Sequence, residues 1–268
     1  WIATGRQLAP LTMPLGAEVR EFPELEPISF HLLPGLLADS LPDAFGNALV
    51  NHWMRTQGIP KDRITSLDRL AYAGDRALGA LTFVPPADII GPPPTAIEMS
   101  DLVTAARATV NGTLDEAGAH DALLQLVNVG SSAGGARAKA VIAYSPETRE
   151  IRSGHLLAPE GFSHWLIKLD GTGPTSLDGR DDALGAGAPY GRIEYAYFLM
   201  ASEAGVTMSE CQLLEENGRA HFLTRRFDRS DTGARVHSST LHGLTHADFR
   251  QPGQHSYDHY LDAIRNLG

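Results

Sequence analysis

The stretch GSSAGGARAKA, residues 130–140, gathers three glycines, two serines and two cations between apolar runs. Glycine lets backbone approach a ligand closely. Successive N–H groups of such a loop cradle anionic oxygens, and Arg137 and Lys139 add positive charge. This is the local chemistry of a phosphate-binding loop. The stricter Walker A pattern, G-x-x-x-x-G-K-[ST], finds Gly130 and Gly135 at the right separation but Ala136 where its lysine belongs. The nucleophile elbow, G-x-S-x-G, is met by Gly130, Ser131, Ser132, Ala133 and Gly134. An elbow joins a strand to a helix, whereas here AVIAY and then SPETRE read as a strand entering a hairpin. A bare Gly/Ser surface turn with no ligand accounts for the same residues.

Composition narrows the classes. Of 268 residues, 43% are hydrophobic and 20% charged, the balance of a globular protein with room for one large domain or two modest ones. A formal net charge of −10 argues against broad nucleic-acid binding while leaving room for a local basic patch. One cysteine, Cys211, excludes an internal disulfide and fits a reducing compartment. Within CQLL it reads as a small buried hydrophobe. No apolar run reaches the length of a membrane span, and no signal peptide is visible. A chain opening on Trp1 rather than Met is expected to begin inside a longer protein or after processing.

Upstream of the glycine stretch, residues 8–33 hold short apolar pieces broken by Pro and Gly, which predict strands and turns. Pro42 and Asp43 predict a helix start, with Ala44, Ala48, Leu49, Trp53 and Met54 on its apolar face and an end near Gly58. Asp39 and Asp43 read as caps rather than catalytic carboxylates. A second helix is predicted over 66–73, then a strand at LTFV, 81–84. Five prolines in residues 84–98 predict a linker. The chain therefore divides into an N-terminal α+β subdomain over 1–85, a Pro-rich linker over 86–100 and a second unit over 101–268. Ser100 or Asp101 is expected to cap a helix through Val110, and another over 121–127 leads into the glycine stretch.

Downstream, KAVIAYS and EIRSG predict a hairpin around Pro146. HWLIKLD predicts a strand in which Lys168 points away from Ile167 and Leu169. Residues 171–190 read as a loop. RIEYAYFLMASEAG predicts a helix with Ile193, Tyr197, Met200 and Ala201 as one face, Glu194 in its first turn and Gly205 as its stop. The dipeptide Asn217-Gly218 predicts the turn of a second hairpin, which exits through RRFDR.

The order is thus Gly-rich loop, hairpin, strand with a central Lys, helix with a Glu, hairpin and polar exit. It is the order of parts in the small lobe of a protein-kinase-like fold, where the loop and strand Lys hold phosphates and a helix Glu orients that Lys. The kinase fingerprint G-x-G-x-x-G is absent. LLADSLPDAFGNAL, GDRALGALTFVPP, GSSAGGARAKA, HWLIKL, IEYAYFLMASEAGVTM, FLTRRFDR and VHSSTLHGL together resemble the HipA family of bacterial serine/threonine kinases, toxins of toxin–antitoxin modules. The resemblance runs from about Leu8 to the end and implies an α+β fold, a kinase-like small lobe behind the N-terminal subdomain.

It also implies roles. Ser132, Gly134, Gly135, Ala136, Arg137 and Lys139 would lie over the phosphates of ATP, and Lys168 would contact them. Arg225 and Phe227 would sit where adenine is held, and Glu194 takes the Lys-orienting position by analogy. Ser132, and less so Ser131, fall where family members autophosphorylate and switch themselves off. The family's catalytic Asp and magnesium ligands belong to a C-terminal lobe that is expected to be absent from this chain. An isolated fragment of this kind is expected to be inactive. The implied partners are a HipB-like antitoxin, a protein substrate such as an aminoacyl-tRNA synthetase, and DNA only through the antitoxin. The implied location is cytoplasmic, without membrane. Two other readings stay open: a serine hydrolase with Ser132, Asp228 and His237 in the order Ser, Asp, His, and a non-catalytic module that binds an antitoxin. His237, His242, His246 and Asp248 lack the H-E-x-x-H spacing, as do His255 and His259, so neither group is assigned a metal.

Overall fold

The computed structural model describes residues 5–87, 99–111, 137–154, 158–172, 189–230, 232–251 and 253–268. Five strands in this set form one antiparallel sheet: β1 (Lys139–Tyr144), β2 (Ile151–Ser153), β3 (Ser163–Lys168), β4 (Cys211–Glu216) and β5 (Arg219–Arg225), ordered β2-β1-β3-β5-β4. Both expected hairpins are present, β1 with β2 and β4 with β5. Asn217 and Gly218 both take positive φ, 47° and 78°, which matches the twist a two-residue hairpin turn needs.

Register assigns the two faces. Ala140 lies opposite Ile167, Ile142 opposite Trp165, and Ile167 opposite Leu223. These five are buried in one cluster with Phe45, Leu49, Val50, Trp53 and Met54 of α3 (Ala44–Thr56) and Leu102, Val103, Ala105 and Ala106 of α5 (Met99–Asn111). The N-terminal helices and the sheet therefore share a core. The other face carries Lys139 opposite Lys168, and Lys168 opposite Phe222. The helix α6 (Tyr190–Glu203) packs against β4 and β5.

The start of α3 is as expected: the Asp43 side chain accepts from Gly46 N–H at 2.7 Å. Its buried face differs in part, because Phe45, Val50 and His52 are buried while Ala44 and Ala48 are only half-buried. Thr65 and Asp68 form a capping box on α4 (Ser66–Ala73). Helix α5 begins at Met99, so Asp101 lies in its first turn rather than at its cap. The helix expected over 121–127 and most of the Pro-rich segment lie outside the described residues.

Three expectations fail for physical reasons. Residues 8–33 hold no strand, only an Ala9–Met13 bridge and the one-turn helix α1 (Pro27–Phe30), since Pro and Gly interrupt every apolar piece before it can pair. LTFV is not a strand: Phe83 N–H bonds back to Gly74 O, and Val84 is 85% exposed. On α6 the expected apolar face is only partly covered, with Ile193 and Ala201 half-buried, Tyr197 and Met200 exposed, and Gly191 the helix's one buried residue among those described. The helix docks by close backbone approach instead of side-chain packing. A Cβ on Gly191 would stand 1.8 Å from Ala220 O.

The segment after β5 returns across the N-terminal subdomain through α7 (Leu241–Thr245), and α8 (Tyr257–Leu267) ends the chain. Asp39, expected as a cap, is the C-cap residue of α2 (Gly35–Ala38), and its side chain accepts from Thr240 N–H at 2.7 Å and Thr240 Oγ1 at 2.6 Å.

Candidate nucleotide site

Charged groups converge where β1 begins and β3 ends. Leu169 N–H donates to Ala138 O at 2.9 Å, which fixes Arg137, Lys139 and Lys168 near one another. Lys168 Nζ binds Glu194 Oε2 at 2.5 Å and lies 5.9 Å from the Phe222 ring centroid. The lysine side chain is 34% exposed and the glutamate 29%, so the pair is reachable by solvent and by an anion. Glu194 reaches it because Gly191 seats the start of α6 on β5. The sequence pointed to both residues, and the structure brings them together.

Lys139 sits differently. It is 2% exposed and its ammonium is paired with Asp43, 96 positions away. Burial pulls the Lys139 pKa down and pushes that of Asp43 up, while their mutual attraction opposes both shifts. Nothing in local sequence signals this pairing, because the cap role of Asp43 accounts for it there. The Arg137 guanidinium lies over the Tyr190 ring, 3.1 Å from its centroid, which places the end of the glycine stretch beside the start of α6. Ser131, Ser132, Gly134, Gly135 and Ala136 lie outside the described residues.

At the other end of β5 a cavity of about 320 Å³ is lined by Ser209, Glu210, Arg225, Arg226, Phe227, Arg229 and Ser230. Arg225 N–H donates to Glu210 O at 2.8 Å, and its guanidinium lies 3.6 Å from the Glu210 carboxylate. Phe227 is 69% exposed, an aromatic face on the rim. Arg225 lies three positions along β5 from Phe222, the partner of Lys168, a span of about 10 Å.

Beneath this cavity Asp228, 1% exposed, accepts from Arg226 Nε at 2.8 Å and Nη2 at 2.6 Å, from Arg229 Nη1 at 2.8 Å and from Gly79 N–H at 2.7 Å. Burial pushes its carboxyl up, but the bonds and charges of these partners outweigh that and hold it below the usual carboxylate range. Burial, then the Arg226 charge, pulls Arg229 down to about 10. With its oxygens so engaged, Asp228 is not the acid of a hydrolase triad. Its proposed partner His237 bonds through Nε2 to Leu8 O at 2.9 Å.

His242, His246 and Asp248 tie their segment to the N-terminal helices. His246 Nε2 accepts from Gly35 N–H at 3.1 Å, His242 Nδ1 donates to Ala247 O at 2.8 Å and stacks on Phe30, and Ser29 Oγ donates to Asp248 Oδ1 at 2.6 Å. Among the described residues no group of three or more His, Cys, Asp or Glu is arranged to hold a metal ion. No described helix is long and apolar enough to cross a membrane.

Comparison with protein families gives two matches. A model described as HipA N-terminal domain matches residues 1–84, and one described as HipA-like C-terminal domain matches residues 131–268. A search among curated proteins found no matching relative.

Proposed function

The chain belongs to the HipA family, and on that footing we propose that its sheet and α6 form the kinase-like small lobe that holds ATP in a toxin kinase. The ion pair between Lys168 and Glu194 carries this reading. A strand lysine held by a helix glutamate is the arrangement that kinases use to present a cation to nucleotide phosphates. Arg137 adds a second cation from the end of the glycine stretch, while Lys139 is already neutralised by Asp43.

The cavity at Arg225 and Phe227 suits adenine, with the exposed Phe227 ring as a stacking surface and backbone groups at the end of β5 as partners. Along β5, Arg225 at the cavity lies three positions from Phe222, the partner of Lys168. When bound, ATP supplies the γ-phosphoryl group for transfer to a serine hydroxyl of a protein. The chain's own residues position the phosphates and offset their charge. Phosphoryl transfer also needs a base and magnesium ligands, and the proposal assigns neither to the described residues.

We place the N-terminal subdomain at 1–85, the linker at 86–100 and the nucleotide-binding unit at 101–268, with Ser132 or Ser131 as the autophosphorylated position. A HipB-type antitoxin is the partner the family implies, and DNA contact would come through it. The protein target, an aminoacyl-tRNA synthetase among the candidates, and a cytoplasmic location belong to the same proposal. Exposed Tyr197, Leu199 and Met200 on α6, and Tyr260, Leu261 and Ile264 on α8, favour a protein-binding role beside it.

Calorimetric titration of the chain with ATP checks the reading. Lys168→Met should weaken binding by about tenfold or more, the loss expected for a charge-assisted contact to phosphate. Unchanged affinity in that variant would remove the nucleotide site from this face.

A further inference from the structure

We infer that Asp43 is a positioning residue for Lys168, acting by taking Lys139 out of competition for Glu194. The inference rests on the nucleotide reading for its use of Lys168, but its structural content stands apart from it.

The chain has three lysines, Lys61, Lys139 and Lys168, against many more arginines. Two of the three lie directly opposite each other on β1 and β3. Directly opposed side chains stand about 5 Å apart at Cβ, close enough for like charges to repel. That contact is felt, since the Lys168 charge is among the influences that lower the Lys139 pKa, after burial as the largest. The pair is tolerable only if each lysine has its own carboxylate. Lys139 has Asp43, and Lys168 has Glu194.

The two carboxylates are not interchangeable. Asp43 is fixed from both sides: Oδ1 accepts from Gly46 N–H and Oδ2 holds Lys139, so the start of α3 and the start of β1 are locked together. Among the described residues Glu194 bonds to Lys168 alone, and it is partly exposed, so it is held less firmly than Asp43. After Asp43, Glu194 is the other carboxylate whose charge favours protonated Lys139. A buried ammonium deprived of Asp43 would therefore draw Glu194 toward itself, because an unpaired buried charge costs far more than a half-exposed one. Lys168 would lose its guide. In the intact protein Asp43 prevents this, leaving one cation of the opposed pair available to an anion.

Asp43→Asn separates this role from capping, since Asn caps a helix as well as Asp does. In a chain labelled at lysine ε-carbons, the Lys168 resonance should move in Asp43→Asn in the direction that Glu194→Gln moves it. Adding Lys139→Met, which removes the competitor, should return the resonance. ATP affinity should fall about fivefold in Asp43→Asn, the range of a partly exposed ion pair, and recover to within about twofold in the double variant. Lys139→Met alone should leave Lys168 paired with Glu194, read as the same further movement of the Lys168 resonance on adding Glu194→Gln as in the wild type, which keeps the inference testable should Asp43→Asn fold poorly. A Lys168 resonance indifferent to Asp43→Asn, or a double variant that stays perturbed, would overturn it. A chain that binds no ATP while its resonances behave as stated would sink the nucleotide reading and leave the role of Asp43 intact.

Discussion

Gly191→Ala sets two magnitudes against each other. Within a helix, Ala is favoured over Gly by up to about 1 kcal/mol, so helix propensity alone predicts a more stable protein. The structure predicts the reverse. A Cβ at this position would lie 1.8 Å from Ala220 O, well under any real contact, so α6 or β5 must retreat by roughly an ångström or more. Overpacking against backbone costs about 1–3 kcal/mol, and position 191 is only the second residue of α6, where the propensity gain is smallest. The expected net loss is about 1 kcal/mol, which lowers Tm by about 2–4 °C in a chain of this size class. Scanning calorimetry reads the stability. The retreat also carries Glu194 away from Lys168, so the lysine ε-carbon resonance should shift in the same variant. A Gly191→Ala protein that melts at or above the wild-type temperature, with Lys168 undisturbed, would refute the claim that backbone contact seats α6.

Two further outcomes follow from buried groups. Asp228→Ala leaves Arg226 and Arg229 without their shared carboxylate, and urea unfolding should show a loss of about 3–5 kcal/mol; a loss under 1 kcal/mol would show the node to be dispensable. For His246, burial lowers the pKa from the usual 6.5, with the His242 charge adding to that and the Glu24 charge opposing it. As acceptor of Gly35 N–H the ring must be neutral, so the unfolded chain takes up its proton first. The stabilisation is present above about pH 6.5 and is lost as pH falls below it toward the folded value. His31 and the buried His164 and His221 shift in the same sense, burial being the largest cause. Stability should accordingly fall between pH 7 and pH 5, and His246→Gln should flatten part of that slope; an unaltered slope would exclude His246 as a contributor.

What could be read from sequence was what short-range physics fixes. Asn217-Gly218 needs only two positive φ values to turn a hairpin, and Asp43 needs only Gly46 to cap α3. Lys168 could be set on the face opposite Ile167 because strands alternate. Misreadings arose where local preference met a tertiary alternative. LTFV has the composition of a strand but no neighbour with which to form a ladder. The apolar residues of α6 have helical spacing, but Gly191 brings the helix down on its backbone, so spacing alone did not decide which face was buried. Asp43 with Lys139, and Asp228 with Gly79, join positions far apart in the chain, and no periodicity signals such a pair.

Those distant pairs bear on how the two halves work together. Asp228, at the cavity expected to receive adenine, is bonded to Gly79, and Arg229 reaches the carbonyls of Gly79 and Ala77. Asp43, at the end that holds the lysines, comes from the same N-terminal half. That half therefore grips the candidate site at both ends, beside the cavity and beside the lysines. It also shares the apolar core on the sheet's other face. A change that shifts α3 against the sheet should reach Lys168 through Asp43 and Lys139 without touching the nucleotide. A rigid appendage joined only by a linker could transmit nothing of the kind. Asp43, Ala77 and Gly79 of the N-terminal half are on this ground part of the candidate site's framework.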